Sequence, residues 1–131
     1  MRMVKAMDAG NMIASVSVPI TEDDDVGSLH DKLKVAGAAL LKAKLPLLLQ
    51  ADVPSYPQDE NLVSFAYNIT PEEEFISFRR DVNTVYNHIR GLSPWPIGHG
   101  VINGKKLNLI FAFKITHSHE HTPGEFVAFE K

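Results

Sequence analysis

Residues 89–96, Ile89-Arg90-Gly91-Leu92-Ser93-Pro94-Trp95-Pro96, decide the reading of this chain, because they join a helical pattern to a strand pattern through a rigid aromatic corner. Upstream, Val82, Val85, Tyr86 and Ile89 fall on one helix face, with Asp81 placed to cap the helix and Gly91 to end it. Each proline fixes its own φ and biases the preceding residue toward extended geometry, so 93–96 is expected to be a stiff connector. Trp95, the single tryptophan of the chain, reads as a core anchor rather than a ligand platform.

Beyond the corner, two apolar runs, 97–101 and 107–115, flank Asn103-Gly104, the strongest short hairpin signal. Leu107, Leu109, Phe111, Phe113 and Ile115 alternate with Lys106, Asn108, Ile110, Ala112 and Lys114, which predicts one buried sheet face. His117, His119 and His121 then alternate ahead of Thr122-Pro123-Gly124. Such a tract matches metal-binding segments by composition alone, and no metal site is expected. The alternation over 125–129 reads as a further strand, and a barrel left at about three strands would expose an unpaired edge.

Composition bounds the function classes. At 131 residues the chain is long enough for one modest domain or parts of two, and 44% hydrophobic with 22% charged residues is a globular balance. Thirteen basic against sixteen acidic residues give a net charge of -3, so a nucleic-acid contact would need a local patch rather than a global field. The absence of cysteine excludes disulfides and thiolate zinc sites. No apolar run approaches a membrane span, so no membrane contact and a cytoplasmic location are expected.

Earlier in the chain, 1–4 and 13–20 read as two strands around the turn chemistry of Asp8-Ala9-Gly10-Asn11. Without further information Asp8 is a turn aspartate. The acidic run Glu22-Asp23-Asp24-Asp25 lacks the alternating ligands and sharp glycine turn of a calcium loop, and reads as a solvated stretch before a helix. Ser28 with Asp31 gives a box-like helix start, and Leu29, Leu33, Ala36 and Leu40 mark a face expected to cover a sheet until Pro46 kinks or ends the helix. His30 has no second ligand at helical spacing. Residues 51–60 hold two prolines and three acids without periodicity and read as a linker. A short strand is expected over 62–67, and Thr70-Pro71-Glu72-Glu73 opens a brief helix.

Four motifs in order carry a resemblance. The octapeptide at 89–96 resembles the I-R-G-L-N-P-W-P signature of the methionyl-tRNA formyltransferase family. The stretch 27–33, G-S-L-H-D-K-L, is similar to that family's helix start, Pro57-Gln58-Asp59-Glu60 to its interdomain P-Q-D-E, and 103–107 to its N-G-K-R-L hairpin. Together they cover roughly residues 1 to 115. The resemblance implies an α/β chain with the C-terminal part of a formyltransferase Rossmann-like domain at 1–50, a linker at 51–60, and the first part of an oligonucleotide-binding-like β-barrel at 61–131.

It also implies a chemistry. Residues 7–13, M-D-A-G-N-M-I, resemble the family's L-D-T-G-D-M-L, whose first aspartate works beside an asparagine and a histidine of a separate N-x-H segment; Asp8 takes that catalytic position. Formyl would pass from 10-formyltetrahydrofolate to the amino group of methionyl initiator tRNA. The amine attacks the formyl carbon, donors stabilise the charge growing on oxygen, and the aspartate supports the histidine and the departing proton. No N-x-H segment occurs here, since Asn87-His88 is adjacent, so the isolated chain is expected to be inactive. Departures from the family pattern at Ala9, Asn11, Asn68, Pro71 and 76–78 alter local hydrogen bonding and thin the basic contacts. Arg79, Arg80, Arg90, Lys105 and Lys106 are the cluster assigned to tRNA backbone contact, with ordinary surface solvation as the alternative. A non-catalytic tRNA-docking fragment, or a piece of an amino-sugar-nucleotide formyltransferase, are the other readings. Self-association through unpaired strand edges is expected.

Overall fold

A computed structural model describes residues 1–50, 52–115, 118 and 120–127. Its elements are helix α1 (Val26–Leu48), a 3-10 turn (Glu60–Leu62), helix α2 (Val82–Leu92), and strands β1 (Gly98–Ile102) and β2 (Lys105–Leu109). The chain divides into two units. One holds Met1–Thr21 with Leu29–Tyr67, the other Glu22–Ser28 with Asn68–Lys131.

In the first unit the expected pair of strands at 1–4 and 13–20 does not form. Instead Met12 and Tyr56 exchange both backbone hydrogen bonds at 2.8 Å, an isolated antiparallel bridge, and Arg2 ties the opening segment down by donating its Nη2 to the Val53 carbonyl at 2.7 Å. The strand expected over 62–67 is likewise absent. Val53 is the one buried hydrophobic of this unit among the described residues. Helix α1 buries none of its residues. Its half-buried positions, including Leu29, Ala36 and Leu40, follow the anticipated stripe, yet Leu33 is 51% exposed and no sheet lies on that face within the unit. Pro46 sits inside the helix, which runs on through Leu47 to Leu48.

The start of α1 lies three residues earlier than its sequence signal. Asp25 accepts from the Ser28 N–H at 2.7 Å while Ser28 Oγ accepts from the Asp25 N–H at 3.1 Å. That reciprocal box satisfies two of the donors a helix start leaves over, and it uses Asp25 and Ser28 in place of Ser28 and Asp31.

In the second unit Asp81 caps α2 by accepting from the N–H groups of Asn83 and Thr84, as its position implied. Gly91 stays within the last turn, and Ser93 is the extended residue that closes the helix, its N–H bonded to the Arg90 carbonyl. β1 and β2 pair antiparallel with Gly98 opposite Leu109 and Ile102 opposite Lys105. The turn between them is Asn103-Gly104 with φ of 51° and 75°, the doubly left-handed geometry that matches strand twist and that asparagine followed by glycine adopts at low cost. The far edge of β1 is taken by a bridge to Phe75, with the Ile76 N–H donating to the His99 carbonyl and the His99 N–H to that of Glu74, each at 2.8 Å.

Ile76, Ile89 and Leu92 form the buried cluster beneath the hairpin, with Val85, Leu109 and Ala112 packed against it. At about 1.5–3 kcal/mol per fully buried aliphatic side chain, three residues make a small core. Two expectations fail around it. Trp95 is 50% exposed, because the corner turns its ring outward while Ile89 and Leu92 anchor the helix end. The alternating face of 107–115 is also open: β2 stops at Leu109, and Phe111, Phe113 and Ile115 are 71%, 81% and 75% exposed. The brief helix at 70–73 is a turn, in which Thr70 and Glu73 still exchange box-like hydrogen bonds.

Candidate functional site

The acidic run at 22–25 belongs to the second unit and is held by one face of α2. Tyr86 and Arg90, four residues apart on the helix, point the same way. The Tyr86 hydroxyl donates to the Glu22 carbonyl at 2.9 Å. Arg90 donates through Nη1 to the Asp24 carbonyl at 2.7 Å and through Nε to Asn87 Oδ1 at 2.8 Å. Lys114 reaches the same place, with Nζ 2.6 Å from Glu22 Oε2 and 4.8 Å from the centre of the Tyr86 ring, while Arg90 stacks over that ring at 5.6 Å. The hydrogen bond and charge of Lys114 hold the Glu22 carboxyl below the usual range. Asp24 is buried and accepts from Ser28 Oγ at 2.8 Å. Glu22 and Asp23 stay exposed as a solvated run implies, but Asp24 is buried and Asp25 half-buried, so the stretch is tied down as a strap. The signal in the sequence is the Tyr86–Arg90 spacing, which gives no indication of its distant partner.

Arg90 is thus committed to backbone carbonyls within its own unit. The other members of the basic cluster differ. Arg79 and Arg80 are exposed in the turn after Phe78, and Lys105 and Lys106 are exposed at the start of β2. Arg80 lines a groove of about 570 Å³ with Phe78, Val101, Asn103 and Phe126, so it shares a surface with the hairpin turn that precedes the two lysines. The aromatic lining of this groove carried no periodic signal.

Asp8 is exposed in a left-handed turn conformation, φ 56°, which aspartate tolerates better than most residues. Gln58 fixes the turn by donating Nε2 to the carbonyls of Asp8 and Gly10, at 2.6 and 2.9 Å. Asp8 lines neither the groove at Phe78 and Arg80 nor the small pocket at Ile89 and Phe111. No three histidine or acidic groups among the described residues are gathered so as to hold a metal ion. Of the histidine triplet, His117 and His119 lie outside the described residues, and His121 contacts Glu125 at 3.3 Å. No described helix is long and apolar enough to cross a membrane.

Residues 68–131, which carry α2, the proline-tryptophan corner and the hairpin, match the formyl transferase C-terminal domain. The likeness extends over the remainder. All 131 residues align at 44% identity with a methionyl-tRNA formyltransferase of Halalkalibacterium halodurans and at 43% with one of Bacillus subtilis, and 127 residues, 97% of the chain, at 45% with one of Staphylococcus epidermidis. The chain is similar to methionyl-tRNA formyltransferases over 97–100% of its length. It spans about two fifths, 41%, of the length of each of these relatives. The strap at 22–25 and the corner at 93–96 belong to the same small unit, whereas Asp8 and Gln58 belong to the other.

Proposed function

We propose that this chain is a portion of a methionyl-tRNA formyltransferase, the enzyme class that moves a formyl group from 10-formyltetrahydrofolate to the amino group of methionyl initiator tRNA. In this reading 1–50 supply the end of a Rossmann-like catalytic domain, 51–60 the linker and 61–131 the first part of an oligonucleotide-binding-like barrel. The observation that carries it is the 43–45% identity to relatives of that name over 97–100% of the chain. Asp8 then supports the attacking amine in concert with asparagine and histidine side chains that this sequence does not contain. Its exposed turn fits a residue whose site is completed by other residues. The isolated chain is accordingly inactive.

Arg79, Arg80, Lys105 and Lys106 take the role of phosphate contacts, because they are exposed and three of them flank the groove or its turn. The test is a chimera in which residues 1–131 replace the matched segment of the Bacillus subtilis relative. Formylation of methionyl initiator tRNA by the chimera, lost on Asp8→Ala with folding retained, is the expected result. A soluble chimera without activity, or one indifferent to Asp8→Ala, would overturn the assignment. A non-catalytic docking role is the second reading, favoured by the open surroundings of Asp8; it requires salt-sensitive binding of initiator tRNA by the isolated chain.

A further inference from the structure

Gln58 stands in the linker stretch, yet its side-chain amide is occupied by the turn that carries Asp8. Nε2 donates to the Asp8 carbonyl at 2.6 Å and to the Gly10 carbonyl at 2.9 Å, across 50 and 48 positions of chain. The backbone on either side of Gln58 is pinned. Tyr56 and Met12 exchange two hydrogen bonds of 2.8 Å, Pro57 fixes its own φ, and Asp59 caps the turn Glu60–Leu62 by accepting from the Asn61 N–H at 2.9 Å. An antiparallel ladder continued from Met12 and Tyr56 would next pair Gly10 with Gln58, and there the side-chain amide does what a backbone N–H would do.

The turn needs such a grip. Asp8 holds a φ of 56°, a left-handed conformation that persists in a residue other than glycine only when its surroundings over-determine it. Gly10 is buried against the backbone of Arg2, where an added Cβ would collide with the Arg2 carbonyl, and the Arg2 N–H donates to the Asn11 carbonyl at 2.8 Å. Arg2 and Tyr56 thus hold the residues that follow Asp8, while Gln58 grips the Asp8 carbonyl directly. We infer that Gln58 is a positioning residue for the Asp8 carboxylate in formyl transfer, an inference that rests on the catalytic role proposed above for Asp8. Gln58 acts on the peptide from which the Asp8 side chain projects and not on the reacting atoms. A catalytic group displaced by about 1 Å loses on the order of a hundredfold in rate, so two hydrogen bonds to its backbone are enough to matter.

The experiment measures steady-state formylation by the chimera carrying residues 1–131, with Gln58→Ala, Gln58→Glu and Gln58→Asn, and thermal melts as the folding control. Gln58→Glu keeps the size of the side chain but sets an acceptor against two acceptors. The alanine and glutamate variants should lower kcat by about tenfold to a hundredfold and leave KM for methionyl initiator tRNA and for the formyl donor within about twofold, with the asparagine variant, which retains an amide, in between. In the 131-residue chain, the Gln58 side-chain amide protons should exchange more slowly by 15N NMR than those of the exposed Gln50. Loss of activity in Asp8→Ala with Gln58→Ala fully active would overturn the inference and leave the role of Asp8 standing. A raised KM at unchanged kcat, an asparagine variant no better than alanine, or Gln58 protons exchanging as fast as those of Gln50 would each overturn it too. A chimera that is inactive, or indifferent to Asp8→Ala, refutes the role of Asp8 and this inference with it.

Discussion

Gly98 is the position where the packing of the hairpin on α2 is tested most directly. A Cβ built there would lie 2.8 Å from Ile76 Cδ1, 3.0 Å from Ile76 Cγ1 and 3.1 Å from Leu92 Cδ1, so Gly98→Ala drives a methyl group into the centre of the buried cluster. Overpacking of this kind costs about 1–3 kcal/mol. Loss of chain freedom in the unfolded state returns about 0.4–1 kcal/mol, which leaves a net destabilisation of about 1–2 kcal/mol. Ile76→Val removes the Cδ1 that makes the closest contact and alone costs about 0.5–1.5 kcal/mol. In the double variant the new methyl occupies the vacated space, so the two costs do not add, and a favourable coupling of about 1 kcal/mol is expected. Urea titrations followed by Trp95 fluorescence report on this unit alone, since its corner carries the one tryptophan. Additivity within about 0.5 kcal/mol, or a neutral Gly98→Ala, would refute the claim that β1 seats directly on Ile76.

Arg90→Ala removes a charged donor from the Asp24 carbonyl and is expected to cost about 2 kcal/mol, read as a lower urea midpoint together with faster hydrogen exchange over 22–25. The same substitution should leave the salt dependence of tRNA binding unchanged, because the guanidinium faces backbone carbonyls. Replacing any one of Arg79, Arg80, Lys105 and Lys106 by alanine should instead reduce the slope of log K against log salt by about 0.7–0.9, measured by mobility shift across a salt series. Part of the acid dependence follows from Asp81, whose carboxyl is held below the usual aspartate range by the Thr84 hydroxyl first and backbone N–H groups second. A lowered folded-state value means that its contribution is complete above about pH 4 and fades as pH falls through the folded value. Asp81→Asn keeps a capping oxygen but does not titrate there, so the melting temperature of the variant should fall less between pH 5 and pH 2.

How much of this was legible in the sequence depends on the range of the interaction. The cap at Asp81 and the Asn103-Gly104 turn are local, each set by the geometry of a few neighbouring residues, and both stand as the sequence implies. The start of α1 shows the limit of even local signals. Asp25, Ser28 and Asp31 repeat at three-residue spacing, both pairs have the right chemistry, and the earlier one forms the box. The order of the four family motifs is also a linear property, and it led to the formyltransferase relatives. What composition and periodicity do not carry is which surfaces find a partner. Leu33, Trp95 and Phe111 have the character of core residues, yet a core needs apposed elements, and the described residues of each unit supply few.

The strap at 22–25 makes the same point from the opposite side. Four consecutive acidic residues have every local reason to remain in water, and burying Asp24 would be costly without compensation. Compensation comes from Ser28, four positions on, for the Asp24 carboxylate, and from residues more than sixty positions away for the rest. Arg90, Tyr86 and Ser28 satisfy the strap's carbonyls and the Asp24 carboxylate, and Lys114 neutralises Glu22. No property of the run itself foretells this, since the stabilising groups are an ordinary tyrosine and arginine on one helix face. The strap closes the α2 end of the unit by polar contacts, just where the hairpin leaves its apolar strip uncovered. The unit's stability therefore rests on a small aliphatic cluster and a hydrogen-bonded belt, which is why Gly98→Ala and Arg90→Ala, acting on different elements, should each unfold it at a lower urea concentration.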